Sequence, residues 1–296
     1  MNKGVLLGIG AYALWGFLPI YWKAIQVVPA IQILCHRVVW SLAFVLLLLA
    51  LLKDWLPLRR ALRTPRTLLV YTFSASLLGV NWLTYIWGVN AGFIVETSLG
   101  YFINPLVSVL LGVVFLHEKL RPWQWLPVGL AGVGVAYLTI SYGQLPWIAL
   151  VLAFTFGMYG LLKKTAPLGS LHGLSLETAI LFLPCLGYLW FAERAGTGAF
   201  GHVPAITNIL LVATGVVTST PLLMFSAAAR RIHLSTLGIL QYIAPTCQFL
   251  LGVLVYGEPF SMSRLAGFLL IWAALLVYSL EGVMVRRKAA LVAAGS

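Results

Sequence analysis

Asn104 and Pro105 stand side by side inside LGYFINPLVSVLLGV (residues 99–113), a stretch otherwise apolar enough to dissolve in lipid. Proline has no N–H, so within a helix it leaves the carbonyl four residues earlier, that of Tyr101, without its usual partner. A shift of 140 residues sets Pro105 on Pro245, which frees the carbonyl of Gln241 in the same way. Polar side chains gather at the same two places: Tyr101 and Asn104 in one, Gln241, Tyr242 and Gln248 in the other. Bare carbonyls in hydrocarbon cost several kcal/mol each, so these surfaces are expected to face protein or a wet cavity. The chemistry on offer is hydrogen bonding to a solute. Tyr101, Asn104, Gln241 and Tyr242 are therefore substrate-binding candidates, and Pro105 and Pro245 gating candidates. A kink that merely satisfies a neighbouring helix explains either proline alone; the matched pair favours a site.

Two charges also fall inside apolar segments. Arg37 lies about six residues into the second segment, about 9 Å deep at 1.5 Å per residue. The 140-residue shift sets it on Glu177, at a like depth from the opposite face. Across a core of about 30 Å those depths leave the two about 12 Å apart along the membrane normal. Each is thus expected to serve substrate separately, near its own mouth of a central cavity, although Arg37 could instead snorkel to the surface. Glu96 opens the fourth segment, where it either carries a coupling proton or favours the helix N-terminus as an anion. Tyr12, Trp15, Trp82, Tyr85, Tyr101 and Tyr242 lie deep, beside polar or glycine positions. Trp15 and Tyr85 join the binding set, with Asn81, which the shift sets on Pro221. Such a pocket suits planar or weakly cationic solutes, lipid-facing packing being the other use of these rings.

Other chemistries find little support. Cys35, Cys185 and Cys247 are scattered at spacings of no metal motif, and an odd set argues against a disulfide framework. The seven acids stand singly, and there is no phosphate loop or nucleophile elbow. No metal or other cofactor is expected.

The elements that must position these residues follow from composition. Of 296 residues 61% are hydrophobic and 9% charged, with a mean hydropathy of +0.98, too little charge to cover a soluble protein. Apolar runs at 5–25, 32–52, 69–90, 95–116, 124–141, 145–163, 174–192, 206–228, 235–256 and 264–282 are each long enough to span a bilayer. The expected fold is an all-α polytopic membrane protein of ten helices. The shift also sets Gly112 on Gly252 and Glu118 on Glu258, so NPLVSVLLGVVFLHE meets APTCQFLLGVLVYGE. The chain reads as a repeat over 1–141, a second over 142–282 and a basic tail over 283–296. Five helices per repeat is an odd number, so the second repeat must insert upside down, as in secondary transporters with a midplane site.

Charge supports that topology. Fifteen of the nineteen Lys and Arg residues, among them Arg59, Arg60, Arg121, Lys163, Lys164, Arg230 and Arg287, fall on one set of alternate loops. Only Lys23, Arg194 and Arg264 fall on the other, and Arg37 lies within a helix. Alternation with helix number is the positive-inside pattern, placing both termini in the cytoplasm and excluding nucleic acid as the reason for a net charge of +12.

The same residues carry a resemblance. AYALWGFLPIYWKAI, HRVVWS, NWLTYIWGVNAG and ETSLGYFINPL, with FGMYGLLKK, LSLET and LGILQYIAPTCQFLLGV in the second half, resemble EamA-type transporters of the drug/metabolite transporter superfamily, in particular the RarD branch of chloramphenicol-sensitive proteins. The resemblance spans nearly the whole chain. It implies a bacterial inner-membrane permease with two inverted EamA repeats around a central cavity. The expected function is secondary transport, in the export direction, of a small metabolite or amphipathic drug-like solute by alternating access. Protons are the candidate coupling ion, and the oligomeric state is open. The alternatives are a membrane enzyme on a lipid-linked substrate and a non-transporting sensor.

Reporter fusions after Arg66, Arg121 and at the C-terminus should report cytoplasm, and fusions near Ala91, Gly143 and Gly198 the opposite side. An odd number of crossings between Gly4 and Arg287 would overturn the inverted arrangement.

Overall fold

The computed structural model describes residues 2–91, 93–143 and 145–256, with 269, 272, 273, 276, 277 and 280. Its regular elements are all helical: α1 (Lys3–Ala24), α2 (Ala30–Leu52), α3 (Leu56–Leu62), α4 (Pro65–Asn90), α5 (Ile94–Leu116), α6 (Trp125–Tyr142), α7 (Trp147–Thr165), α8 (Ser170–Arg194), α9 (Ala205–Ala229), α10 (Leu234–Leu240) and α11 (Ile243–Leu250). A single π turn, Leu251–Val255, follows α11. Eight spans, with α10, α11 and the π turn counted as one, are long and apolar enough to cross a membrane. α6 adds 18 residues without a charged side chain. The expected tenth segment, Glu258 and the basic tail lie outside the described residues, apart from isolated helical positions in that segment.

Local signals set the helix ends. Asn2 caps α1 by accepting from the Gly4 amide at 2.9 Å. α6 closes on Gly143, whose φ of 78° suits glycine. The short α3 was not expected: it buries Leu58 and Ala61 and exposes Arg59 and Arg60, within a basic loop that hydropathy alone does not mark.

One expectation fails in part. Pro105 sits within a continuous α5, whereas the matching segment breaks at Gln241–Tyr242, between α10 and α11. There the carbonyl that Pro245 frees is not bare. Gln241 O accepts from the Ala244 amide at 3.1 Å, three residues on instead of four.

The long helices alternate in direction, so the bundle has two ends. One carries the turn at 25–29 and the connections that follow α4, α6 and α8; the other carries 53–64, 117–124, 166–169 and 230–233. α2 packs on α8 and α9, α5 on α7 and α10, α1 on α9 and α11, and α4 on α7 and α8. Small residues allow the closest crossings. A Cβ on Gly100 would lie 3.1 Å from Leu152 Cβ, and one on Gly238 would lie 2.7 Å from the Pro105 carbonyl oxygen.

Because the atom facing Gly238 is backbone, no rotamer change relieves the clash. Gly238→Ala should destabilise the protein by about 1–3 kcal/mol, seen as a lower melting temperature in detergent. An unchanged melting temperature would show that α5 and α10 are not in close contact.

Candidate functional site

Four helical faces surround one cavity of about 170 Å³ in the bundle interior. Trp15, Leu18, Pro19 and Trp22 line it from α1, and Thr97, Gly100, Tyr101 and Asn104 from α5. Gln241, Ala244, Pro245 and Gln248 line it from the broken segment, and Asn81, Trp82 and Tyr85 from α4. Three of these sets follow the i, i+3, i+4, i+7 spacing of one helix face. Arg37 reaches in from α2, and Leu152, Phe156, Leu222 and Tyr12 complete the wall. The lining runs from mid-bundle toward the end that carries the 25–29 turn.

Polar groups of the wall divide into those held by protein and those left open. Asn81 Nδ2 donates to the Leu152 carbonyl and to Thr155 Oγ1, both at 2.9 Å, and Gln248 Nε2 donates to the Trp15 carbonyl at 3.2 Å. Arg37 Nε donates to Thr218 Oγ1 at 3.0 Å, and its guanidinium carbon lies 4.8 Å and 4.6 Å from the Trp22 and Trp82 rings. Among the described residues the lining holds no carboxylate. Asn104 Oδ1 and the Tyr12 hydroxyl are buried without any hydrogen-bond partner. A buried group left so costs about 1–3 kcal/mol, and both residues belong to the cavity wall.

Beneath the cavity an aromatic layer closes the bundle. Trp15 lies 5.7 Å from both Phe156 and Phe225, and Tyr159 stacks on Phe225 at 6.0 Å with an interplanar angle of 11°. Below it, Glu177 is fully buried and accepts from Lys163 Nζ at 2.6 Å, Ser74 Oγ at 2.5 Å and the Tyr159 hydroxyl at 3.3 Å. At the far end, past α5, Glu118 accepts from the Leu234 amide at 2.6 Å, the Ser235 amide at 2.9 Å and Ser235 Oγ at 2.7 Å, so it caps α10. Burial alone would raise its pKa. The bonds from Ser235 and Leu234 and the charge of Lys164 outweigh that and hold the carboxyl below its ordinary value. Arg230 Nη1 donates to the Ala166 and Leu168 carbonyls at 2.7 and 2.8 Å, and Lys164 Nζ to the Ile232 carbonyl at 2.5 Å, tying the same end shut.

The expected site residues fall into two groups. Trp15, Arg37, Asn81, Tyr85, Tyr101, Asn104, Gln241 and Pro245 come together on the lining. Glu177 and Tyr242 do not: Glu177 is spent on Lys163, and Tyr242 donates to the Phe102 carbonyl at 3.1 Å. Pro105 lies off the lining with its carbonyl against α10. Glu96 is in the first turn of α5, and its side chain lies outside the described residues. Arg37 and Glu177 have separate partners, Thr218 and Lys163. Lys163, expected in a loop, is 3% exposed inside the last turn of α7. Trp22 and Phe156 were missed, although Trp22 completes the face begun by Trp15, Leu18 and Pro19.

Residues 2–140 match the EamA-like transporter family. A Protein RarD of Streptomyces exfoliatus is 49% identical over 97% of the chain and 91% of its own length. The chain belongs to the EamA-like transporter family, in its RarD-type branch. A further member, the uncharacterized transporter YojE of Bacillus subtilis, is 44% identical over 97% of the chain and 96% of its own length. A protein of known crystal structure, 20% identical, superposes with a TM-score of 0.70 over 94% of the chain and 98% of its own, which shows a shared fold. This EamA chain is accordingly a bacterial multi-pass membrane protein of transporter kind.

The buried ion pair gives a test of the closed end. Lys163→Met or Glu177→Leu alone leaves one charge uncompensated and should cost about 3–5 kcal/mol of stability. The double variant, measured by thermal denaturation in detergent, should recover most of that loss. Equal loss in the double and single variants would show that the two residues do not act as a pair.

Proposed function

We propose that the chain is a secondary active transporter, not an enzyme, that exports a small solute by alternating access through the central cavity. The observation that carries this reading is the cavity's asymmetry: open polar groups and rings toward one end, an aromatic layer and a tied network toward the other. Transport requires such a site with one route sealed while the other is reachable.

Several features support ten helices in two inverted repeats, over 1–141 and 142–282, with the tail at 283–296. Under the 140-residue shift the packing pairs exchange: α5 on α7 answers α10–α11 on α1, and α2 on α9 answers α8 on α4. The Tyr242–Phe102 hydrogen bond joins two positions 140 residues apart. The tied end carries Arg59, Arg60, Arg121, Arg230 and Arg231, so it is the cytoplasmic face of the inner membrane and both termini lie there. The cavity then faces outward. Protons are the coupling ion in this scheme, with Glu96 as a carrier, and Pro105 and Pro245 soften the helices that rock.

Purified protein in proteoliposomes, screened with amino acids, quaternary amines and chloramphenicol-like drugs, tests the proposal. Asn104→Leu removes an unpartnered acceptor, so the protein should remain as stable as wild type or more so, while flux falls tenfold or more. Gln241→Leu should lower flux likewise. No flux of any solute by folded wild-type protein would overturn transport, and wild-type flux in both variants would overturn this site.

A further inference from the structure

We propose that the cavity selects a planar monoanion, its carboxylate held by Arg37; the inference rests on the transporter reading of the same cavity. Arg37 is the charged side chain of the lining among the described residues, and its Nε bond to Thr218 is its one direct hydrogen bond there. Thr218 is neutral, and the indoles of Trp22 and Trp82 accept the cation on their faces without supplying a negative charge. The guanidinium is thus a fixed positive charge inside a membrane bundle, with its terminal amino groups available. A guanidinium fork matches a carboxylate in shape and charge and binds it through two parallel hydrogen bonds. One cation neutralises one negative charge, which favours a monoanion over a phosphate dianion.

The rest of the wall limits the solute further. A cavity of about 150 Å³ lined by apolar residues accommodates benzene, and this one, of about 170 Å³ with Trp15, Trp82 and Phe156 on its walls, fits a single ring. Asn104 Oδ1 has no donor among the described residues, and Asn104 lies on the wall, so a small turn of its side chain would offer an acceptor to a donor beside the ring. A cationic solute, which the aromatic residues alone suggest, would meet the like charge of Arg37 and find no carboxylate among the described lining residues.

The test uses full-length protein in detergent and three probes built on one ring: benzoate, benzamide and benzylamine, bearing a negative charge, none and a positive charge. Binding is read by calorimetry and by ligand-dependent rise in melting temperature. Benzoate should bind about tenfold to a hundredfold more tightly than benzamide, and benzylamine most weakly. Arg37→Gln should abolish the benzoate preference, lowering benzoate affinity by far more than benzamide affinity, and Arg37→Lys should restore part of it. If Arg37→Gln does not fold, the wild-type ranking decides. Equal binding of the three, a preference for benzylamine, no binding of benzoate, or a preference that survives Arg37→Gln overturns the inference. Flux of other solutes in proteoliposomes despite any of those results leaves the transporter reading intact. Benzoate binding without flux of any solute would keep the anion site and remove transport.

Discussion

A bilayer offers no water to hydrogen bond, so each polar group within the bundle must find a partner inside the protein or face a cavity. The molecule meets this constraint in nearly every buried residue described. Threonines and serines return their hydroxyls to carbonyls of the preceding turn, as Thr178 does to Leu174 and Ser175 to Leu171. Glu177 is surrounded by three donors and Glu118 by backbone amides of another helix. The exceptions are informative because they are few: unpartnered side-chain atoms occur on Tyr12, His36, Trp40, Asn104 and Ser219. Tyr12 and Asn104 belong to the wall of the same cavity.

The two acids show how the constraint separates holding from binding. Each carboxylate sits on the tied side of the aromatic layer, matched by a cation or by amide donors, and so is committed to structure. Arg37, on the cavity side, has a hydroxyl and two rings for company and no counter-charge among the described residues. Glu177 and Glu118 are neutralised within the chain, whereas Arg37 is the charge on the described cavity lining.

Much of this was legible in the residues because hydropathy dominates in lipid. Spans α1, α2, α4 to α9 lie within a few residues of the apolar runs, and Asn104 and Gln241, singled out for their depth, both stand on the cavity lining. What was not legible depends on contacts between elements. Lys163 at a helix end reads as a loop cation until Glu177, fourteen residues on, is seen beside it on the next helix. Pro105 and Pro245 are equivalent in sequence, yet only the second accompanies a break, where Ala244 takes the freed carbonyl in place of the missing partner. The short α3 escaped for the opposite reason: it is too brief and too basic for an apolar run to reveal it.

The contact between Gly238 and the Pro105 carbonyl has a mechanical meaning. A glycine facing a backbone oxygen offers no pliable side chain, so α5 and α10 have little room to approach further there. Any rocking of α5 against α10 would have its fulcrum there. Displacement in a lever grows with distance from its pivot, and Asn104 adjoins Pro105 while Gln241 lies about 4.5 Å along the chain from Gly238 at 1.5 Å per residue. In such a motion the groups proposed to grip a solute would sit almost at rest, and the travel would be delivered to the remote tips of the two arms.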